Sequence, residues 1–237
     1  MISHVHRCIF IHVPKCGGTS IESYLRAHAS ALGHLPEPGL DLTLRRAGLA
    51  EALNRHPDYF VFTFVRHPFD RIVSAWRHSL RGVGPYHDRP VRDLAFAEYV
   101  RIAAEGRVAE QSRFDRYHLL PQVAFVPAPS RPMLFGVALG PGVTCGFIGR
   151  FERLEDDFRA VCRRAGIAER GLGRLQAAPV QAGAARVHWT ACYDAETIRL
   201  VEDLFREDLE TFGYEPPSRA AGDSAEMDSR PDAPVEP

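Results

Sequence analysis

A strand-like run, Cys8–Val13 (CIFIHV), passes directly into Pro14-Lys15-Cys16-Gly17-Gly18-Thr19-Ser20. Apolar residues then recur at helical spacing, with Ile21, Tyr24, Leu25 and His28 on one face. A buried strand that turns through two glycines into a helix restricts the chain to few architectures. Glycines let main-chain N–H groups approach an anion, and the positive end of the helix dipole favours negative charge there. Lys15 sharpens the reading, because it is the single lysine among 29 lysines and arginines. Ammonium is a compact, mobile point charge, whereas guanidinium is a wide planar fork. A lysine kept at this turn points to a phosphate-type anion. Thr19 and Ser20 are placed to cap the helix or to donate hydroxyls.

The loop is not a Walker sequence: its lysine precedes the glycines and no Gly-Lys-Ser/Thr follows. A net charge of −1 gives no global pull toward nucleic acid, so anion binding must be local. No apolar stretch reaches the ~18 residues of a membrane span, and nothing near the start reads as a signal peptide. The five cysteines lack metal-ligand spacing, so no metal site is expected. Reduced, packed cysteines and a cytoplasmic location follow as expectations. Cys16 stands apart, since a thiol at a helix N-terminus beside a lysine is expected to be acidic, with a redox or nucleophilic role as a minor alternative.

A second strand reads at Tyr59–Val65 (YFVFTFV) and closes in Arg66-His67-Pro68, the proline holding His67 out of helical space. Helix resumes near Asp70, read as its cap, with Phe69, Ile72, Val73 and Trp76 turned inward. Arg66 at the strand tip and Ser74 one turn into the helix are suited to grip one phosphate. Further helices are expected at Leu42–Leu53, Leu94–Ala104 and Arg113–Leu120, then from Leu154 to Gly166, and as one final helix from Asp194 to Gly213. A short strand is expected at 146–149. Residues 33–41, 81–92 and 127–146 read as loops, the last an irregular or hairpin excursion. Residues 216–237 read as a disordered tail behind one domain of residues 1–215. Alternating strands and helices make this a three-layer α/β domain around a mainly parallel sheet. Its ligand is expected at the carboxyl ends of the strands, where both motifs lie.

Together, IFIHVPKCGGTS and FTFVRHPFDRIVSAW resemble the phosphosulfate-binding loop and the 3′-phosphate motif of the sulfotransferases that use 3′-phosphoadenylyl sulfate (PAPS), especially the carbohydrate branch. The likeness extends through Tyr117–Gln122, residues 146–158 and Tyr193–Tyr214. It implies a P-loop-like fold and metal-independent transfer of a sulfuryl group from PAPS to a hydroxyl of a glycan or small metabolite, leaving 3′,5′-ADP (PAP). By position, it places Lys15 on the bridging oxygen and Cys16, Gly17, Gly18, Thr19 and Ser20 around the 5′ phosphate. Arg66 and Ser74 fall on the 3′ phosphate, and Arg186 on a loop that covers the donor. A base in a Gly-His segment is implied at His34, with His118 as competitor and Glu22 and Glu152 as outsiders. Two other readings stand beside it: a nucleotide-dependent phosphotransferase, and a non-catalytic PAP- or PAPS-binding protein.

Overall fold

The computed structural model describes residues 1–31, 46–80, 94–106, 117–169, 171–172 and 187–217. Its centre is a four-stranded sheet of β1 (Ile2–Ser3), β2 (Cys8–Ile11), β3 (Phe60–Val65) and β6 (Phe147–Arg150), in the order β1-β2-β3-β6. Strands β2, β3 and β6 run parallel, with Ile9 opposite Val61 and Thr63 opposite Ile148. Strand β1 pairs antiparallel at the edge. Both parallel pairings satisfy the main chain of β3, the central strand, and five of its six residues are buried. That agrees with its continuous apolar character.

The α/β expectation holds: helices flank a mainly parallel sheet. Helix α1 (Gly18–Ala31) follows the glycine turn and α2 (Arg46–Arg55) leads into β3. Helix α3 (Pro68–Ser79) follows β3, and α4 is Phe96–Ala104. Helix α5 (Leu154–Ala165) follows β6 and stops at Gly166 in the left-handed conformation. Residues of β2, β3, α1, α2 and α5 share one apolar core, in which Phe10 stacks on Phe62 with centroids 5.2 Å apart and Tyr24 meets Phe158 edge-on at 5.0 Å. Each such buried aromatic contributes about 1.5–3 kcal/mol by removal from water. A second core joins α3 and α4 to α6 (Ala195–Leu204) and α7 (Arg206–Phe212).

Several boundaries differ from expectation. Helix α3 starts at Pro68, with His67 as N-cap and Pro at the first helical position, where its missing N–H has no consequence. Asp70 is therefore not the cap but lies within the first turn. The final helix is broken at Phe205 (φ −121°, ψ 25°). The apolar spacing Ile198, Val201, Phe205, Leu209, Phe212 runs straight across the break, so periodicity does not mark it. The excursion at 127–146 contains a small hairpin, β4 (Met133–Leu134) with β5 (Val137–Ala138). Of the helix expected over Arg113–Leu120, 117–119 are helical and 107–116 lie outside the described residues. So do 42–45 of the expected second helix, most of the loops at 33–41 and 81–92, and 218–237 of the expected tail.

Candidate functional site

Strands β2 and β3 are neighbours in the sheet, so the segments that leave their carboxyl ends emerge side by side. The two motifs meet there. Arg66 Nη1 donates to the carbonyl of Lys15 at 3.1 Å, and Arg66 Nε donates to Asp70 Oδ2 at 2.7 Å. Its guanidinium carbon lies 4.0 Å from the centre of the Phe151 ring, just past β6. The segments that follow β2, β3 and β6 thus fix one planar fork, which leaves little rotamer freedom to lose when an anion binds. Asp70 orients Arg66, the role that replaces the expected cap.

Lys15 adopts φ +68°, a left-handed conformation that costs an L-residue roughly 1–2 kcal/mol. Strain of this kind persists where the surroundings over-determine it, and it concentrates at functional sites. Helix α1 opens at Gly18, so Thr19 and Ser20 occupy its first turn rather than its cap. The first amide bonded back to the loop is that of Ser20, to Gly17 O at 3.1 Å. The amides of Gly17, Gly18 and Thr19 precede it, at the helix end that attracts anions. Each glycine is required for a stated reason. Gly17 sits at φ +82°, and a Cβ on Gly18 would fall 2.3 Å from Cδ2 of His12.

His12 is a residue that sequence reasoning missed. Its ring lies over Phe10 and its Nδ1 is 2.9 Å from Glu22 Oε1, on the first turns of α1. Glu22, an outsider as base, is thereby paired and nearly buried. Glu152, the other outsider, accepts from the His67 amide at 2.7 Å and from the Tyr214 hydroxyl at 2.9 Å. It ties the turn after β3 to the chain after α7. His67 packs against Trp189 and Tyr214 and its Nε2 lies 3.0 Å from the carbonyl of Glu215; burial pushes its pKa down.

Cys16 overturns its expectation. It is buried, its thiol donates to Gln122 Oε1 (3.2 Å) and Pro14 O (3.5 Å), and burial pushes its pKa up to about 12. Arg71 and Arg66 pull it back only in part. The thiol is therefore protonated and inert at neutral pH. The helix-end argument fails because the side chain turns into the core instead of toward solvent.

Beneath the loops runs a buried polar network. Asp208 Oδ2 and Oδ1 accept from the amides of Gln122 (2.8 Å) and Val123 (2.9 Å). Arg71 donates to the carbonyls of His118 (2.9 Å) and Leu120 (2.7 Å), with its Nη2 3.9 Å from Asp208. Arg71 and Asp208 are almost completely buried. Burial raises the pKa of Asp208, opposed by Arg71 and the two amides. The single sequence signal for this pair was Asp208 itself, a charge on the apolar stripe three residues after Phe205. Gln122 was missed as well. Ser74 is half-buried in the second turn of α3. Trp76 packs as expected against the second core, its indole N–H donating to Leu94 O at 2.9 Å.

The network holds the segment that carries His118, whose ring is buried against His78 at 5.7 Å. His34 and Arg186 lie outside the described residues. Among those described, no three His, Cys, Asp or Glu side chains converge to hold a metal ion. No described helix is long and apolar enough to cross a membrane.

Comparison with known proteins gives the following likenesses. The Sulfotransferase family matches residues 1–215. Carbohydrate sulfotransferase 10 of Xenopus laevis is 26% identical over 252 residues, covering 92% of this chain and 67% of the relative. Carbohydrate sulfotransferase 14 of Danio rerio is 24% identical over 183 residues, covering 70% and 48%. The chain thus spans between about half and two thirds of these curated relatives. A crystal structure of a sulfotransferase from Alicyclobacillus acidocaldarius aligns with a TM-score of 0.42 and 17% identity, over 87% of this chain and 98% of that one.

Proposed function

The chain belongs to the Sulfotransferase family, and from that premise we propose that it transfers a sulfuryl group from PAPS to a hydroxyl of a carbohydrate or small metabolite. The observation that carries this reading is the bond from Arg66 to Lys15 O, which brings the two anion-suited strand tips together. A nucleotide bearing a phosphate at each end of its ribose needs two such grips side by side. The residues present fit it: an ammonium and helix-end amides at one tip, and a pre-oriented guanidinium at the other.

In this reading Gly17, Gly18, Thr19 and Ser20 hold the 5′ phosphate, with Cys16 contributing through its main chain. Lys15 stabilises the charge that develops on the bridging oxygen as the sulfuryl group leaves. Groups aimed at developing charge are typically worth about 10²–10³ in kcat. Arg66 and Ser74 hold the 3′ phosphate, and Arg186 covers the donor. A sugar hydroxyl ionises far above neutrality, so a positioned base contributes typically ~10²–10⁴-fold. His34 is assigned that role, with His118 second because its ring is buried against His78. Supporting a carbohydrate acceptor are the relatives from Xenopus laevis and Danio rerio, which are named as carbohydrate sulfotransferases, and the protein is assigned to the cytoplasm in this reading.

Calorimetric titration with PAP, and separately with ATP and magnesium, tests the reading. Micromolar PAP binding that is lost in Lys15→Ala and in Arg66→Ala is expected. Preference for ATP–magnesium would overturn it in favour of a phosphotransferase. PAP binding with no sulfate transfer to any hydroxylated acceptor would leave a binding protein.

A further inference from the structure

Gln122 is completely buried, and its carboxamide faces both strand tips at once. Its Oε1 accepts from the Arg66 amide at 2.8 Å and from the Cys16 thiol at 3.2 Å. Its Nε2 donates to the Arg66 carbonyl at 2.9 Å. The side chain thereby meets the Arg66 peptide groups as a neighbouring strand would, one donor and one acceptor, at the point where β3 has ended. At the same time it reaches the loop after β2 through Cys16. Gln122 is itself held by its main-chain N–H on Asp208, whose second oxygen takes Val123. The adjacent carbonyls of His118 and Leu120 are fixed by Arg71.

From this geometry we infer that Gln122 is a positioning residue that sets the distance between the two phosphate grips of the donor site. The inference rests on the proposed reading of the site as a receptor for a nucleotide with 3′ and 5′ phosphates. A rigid spacer matters in a particular way. Each grip alone tolerates a small shift of its loop, because a mononucleotide follows it. A ligand held at both ends gains its affinity from simultaneous engagement, and loses it when the spacing is wrong. Two caps that merely stabilised separate loops would show no such difference.

The test compares PAP, 5′-AMP and 3′-AMP binding by calorimetry in the wild type and in Gln122→Met, which keeps the length of the side chain and removes its bonds. PAP affinity is expected to fall about 10- to 100-fold, with each mononucleotide changing by less than about threefold. Gln122→Glu keeps an acceptor for the Arg66 amide and the Cys16 thiol, and is expected to fall in between. Equal loss for all three nucleotides, or unchanged PAP affinity, would overturn the inference. Hydrogen exchange of the wild type covers the case in which neither variant folds. The Arg66 amide must then exchange as slowly as core amides without ligand, and exchange at loop rates would also overturn it. Failure of the underlying functional reading looks different: the wild type itself would bind PAP no more tightly than 5′-AMP.

Discussion

The guanidinium of Arg66 donates to the main-chain carbonyl of Lys15, 51 residues earlier, at 3.1 Å. The contact makes one cation the support of the other, since the carbonyl it fixes belongs to the residue held at φ +68°. Arg66 therefore shapes the turn as well as offering charge. Its loss is expected to disturb the Lys15 end of the site and not only its own.

Lys15 is predicted to separate stability from activity. In Lys15→Gly the left-handed backbone is relieved, offset in part by the added entropy of the unfolded glycine, so thermal stability should stay within about 1 kcal/mol or rise. The proposed sulfate transfer from PAPS should fall by about 10²–10³ or more. Lys15→Arg should not restore it, because a planar fork replaces a point charge. Melting curves alongside a transfer assay check both halves. A large loss of stability in Lys15→Gly would contradict the strain assigned to this residue.

Gly18→Ala should force His12 aside, since the new Cβ falls 2.3 Å from the imidazole ring. Overpacking of this kind costs about 1–3 kcal/mol, and it should break the pairing of His12 with Glu22. Adding His12→Ala removes the obstacle, so the double variant should be more stable than the two single losses added together. Urea unfolding of the four proteins measures this coupling. Simple additivity would show that the ring moves away without cost.

Cys16 should resist alkylation by iodoacetamide in the folded protein at pH 8 and react once guanidinium unfolds it. Burial pushes its folded thiol up from an ordinary value of 9.0 to about 12. The folded state therefore holds this proton more tightly than the unfolded state. Stability from this group is fully present below pH 9 and is lost as pH rises toward 12. Cys8 and Cys145 behave alike. Urea midpoints measured from pH 8 to 11 should decline, less steeply in Cys16→Ala. Rapid native-state labelling of Cys16 would contradict its burial.

Asp208→Ala should lower stability by about 3–5 kcal/mol, because it leaves Arg71 as an uncompensated buried charge and strips the amides of Gln122 and Val123. Burial raises the carboxyl pKa of Asp208 in the folded state. Its ionisation therefore opposes folding as pH rises from about 4, and Arg71 and the two amides offset part of that cost. Combined Arg71→Met and Asp208→Leu should lose less than the sum of the single changes. Urea unfolding decides between coupled and independent losses.

Local order was legible because neighbours in sequence impose it. The run CIFIHV read as a buried strand and its first four residues form β2, Gly17 turns and Gly18 opens α1, and the proline after His67 keeps the end of β3 out of the helix. The four-stranded sheet then placed the loops after β2 and β3 side by side, as the parallel α/β reading required. The final helix was read through its own break at Phe205, because apolar spacing reports which face is buried and not whether the backbone is continuous. Cys16 misled for a related reason. A helix terminus acidifies a thiol that faces solvent, and nothing in the local residues says that this one faces Gln122.

The sequence by itself settled the strand-turn-helix units, the fold class and the cations at their tips, since these follow from spacing along a few residues. Only the tertiary structure joined Arg66 to Lys15, brought Gln122 between them, and seated Asp208 beneath. Among these contacts, Cys16 and Gln122 lie 106 residues apart. Their partners are chosen by the packing of the whole core, where nearly all buried donors find an acceptor.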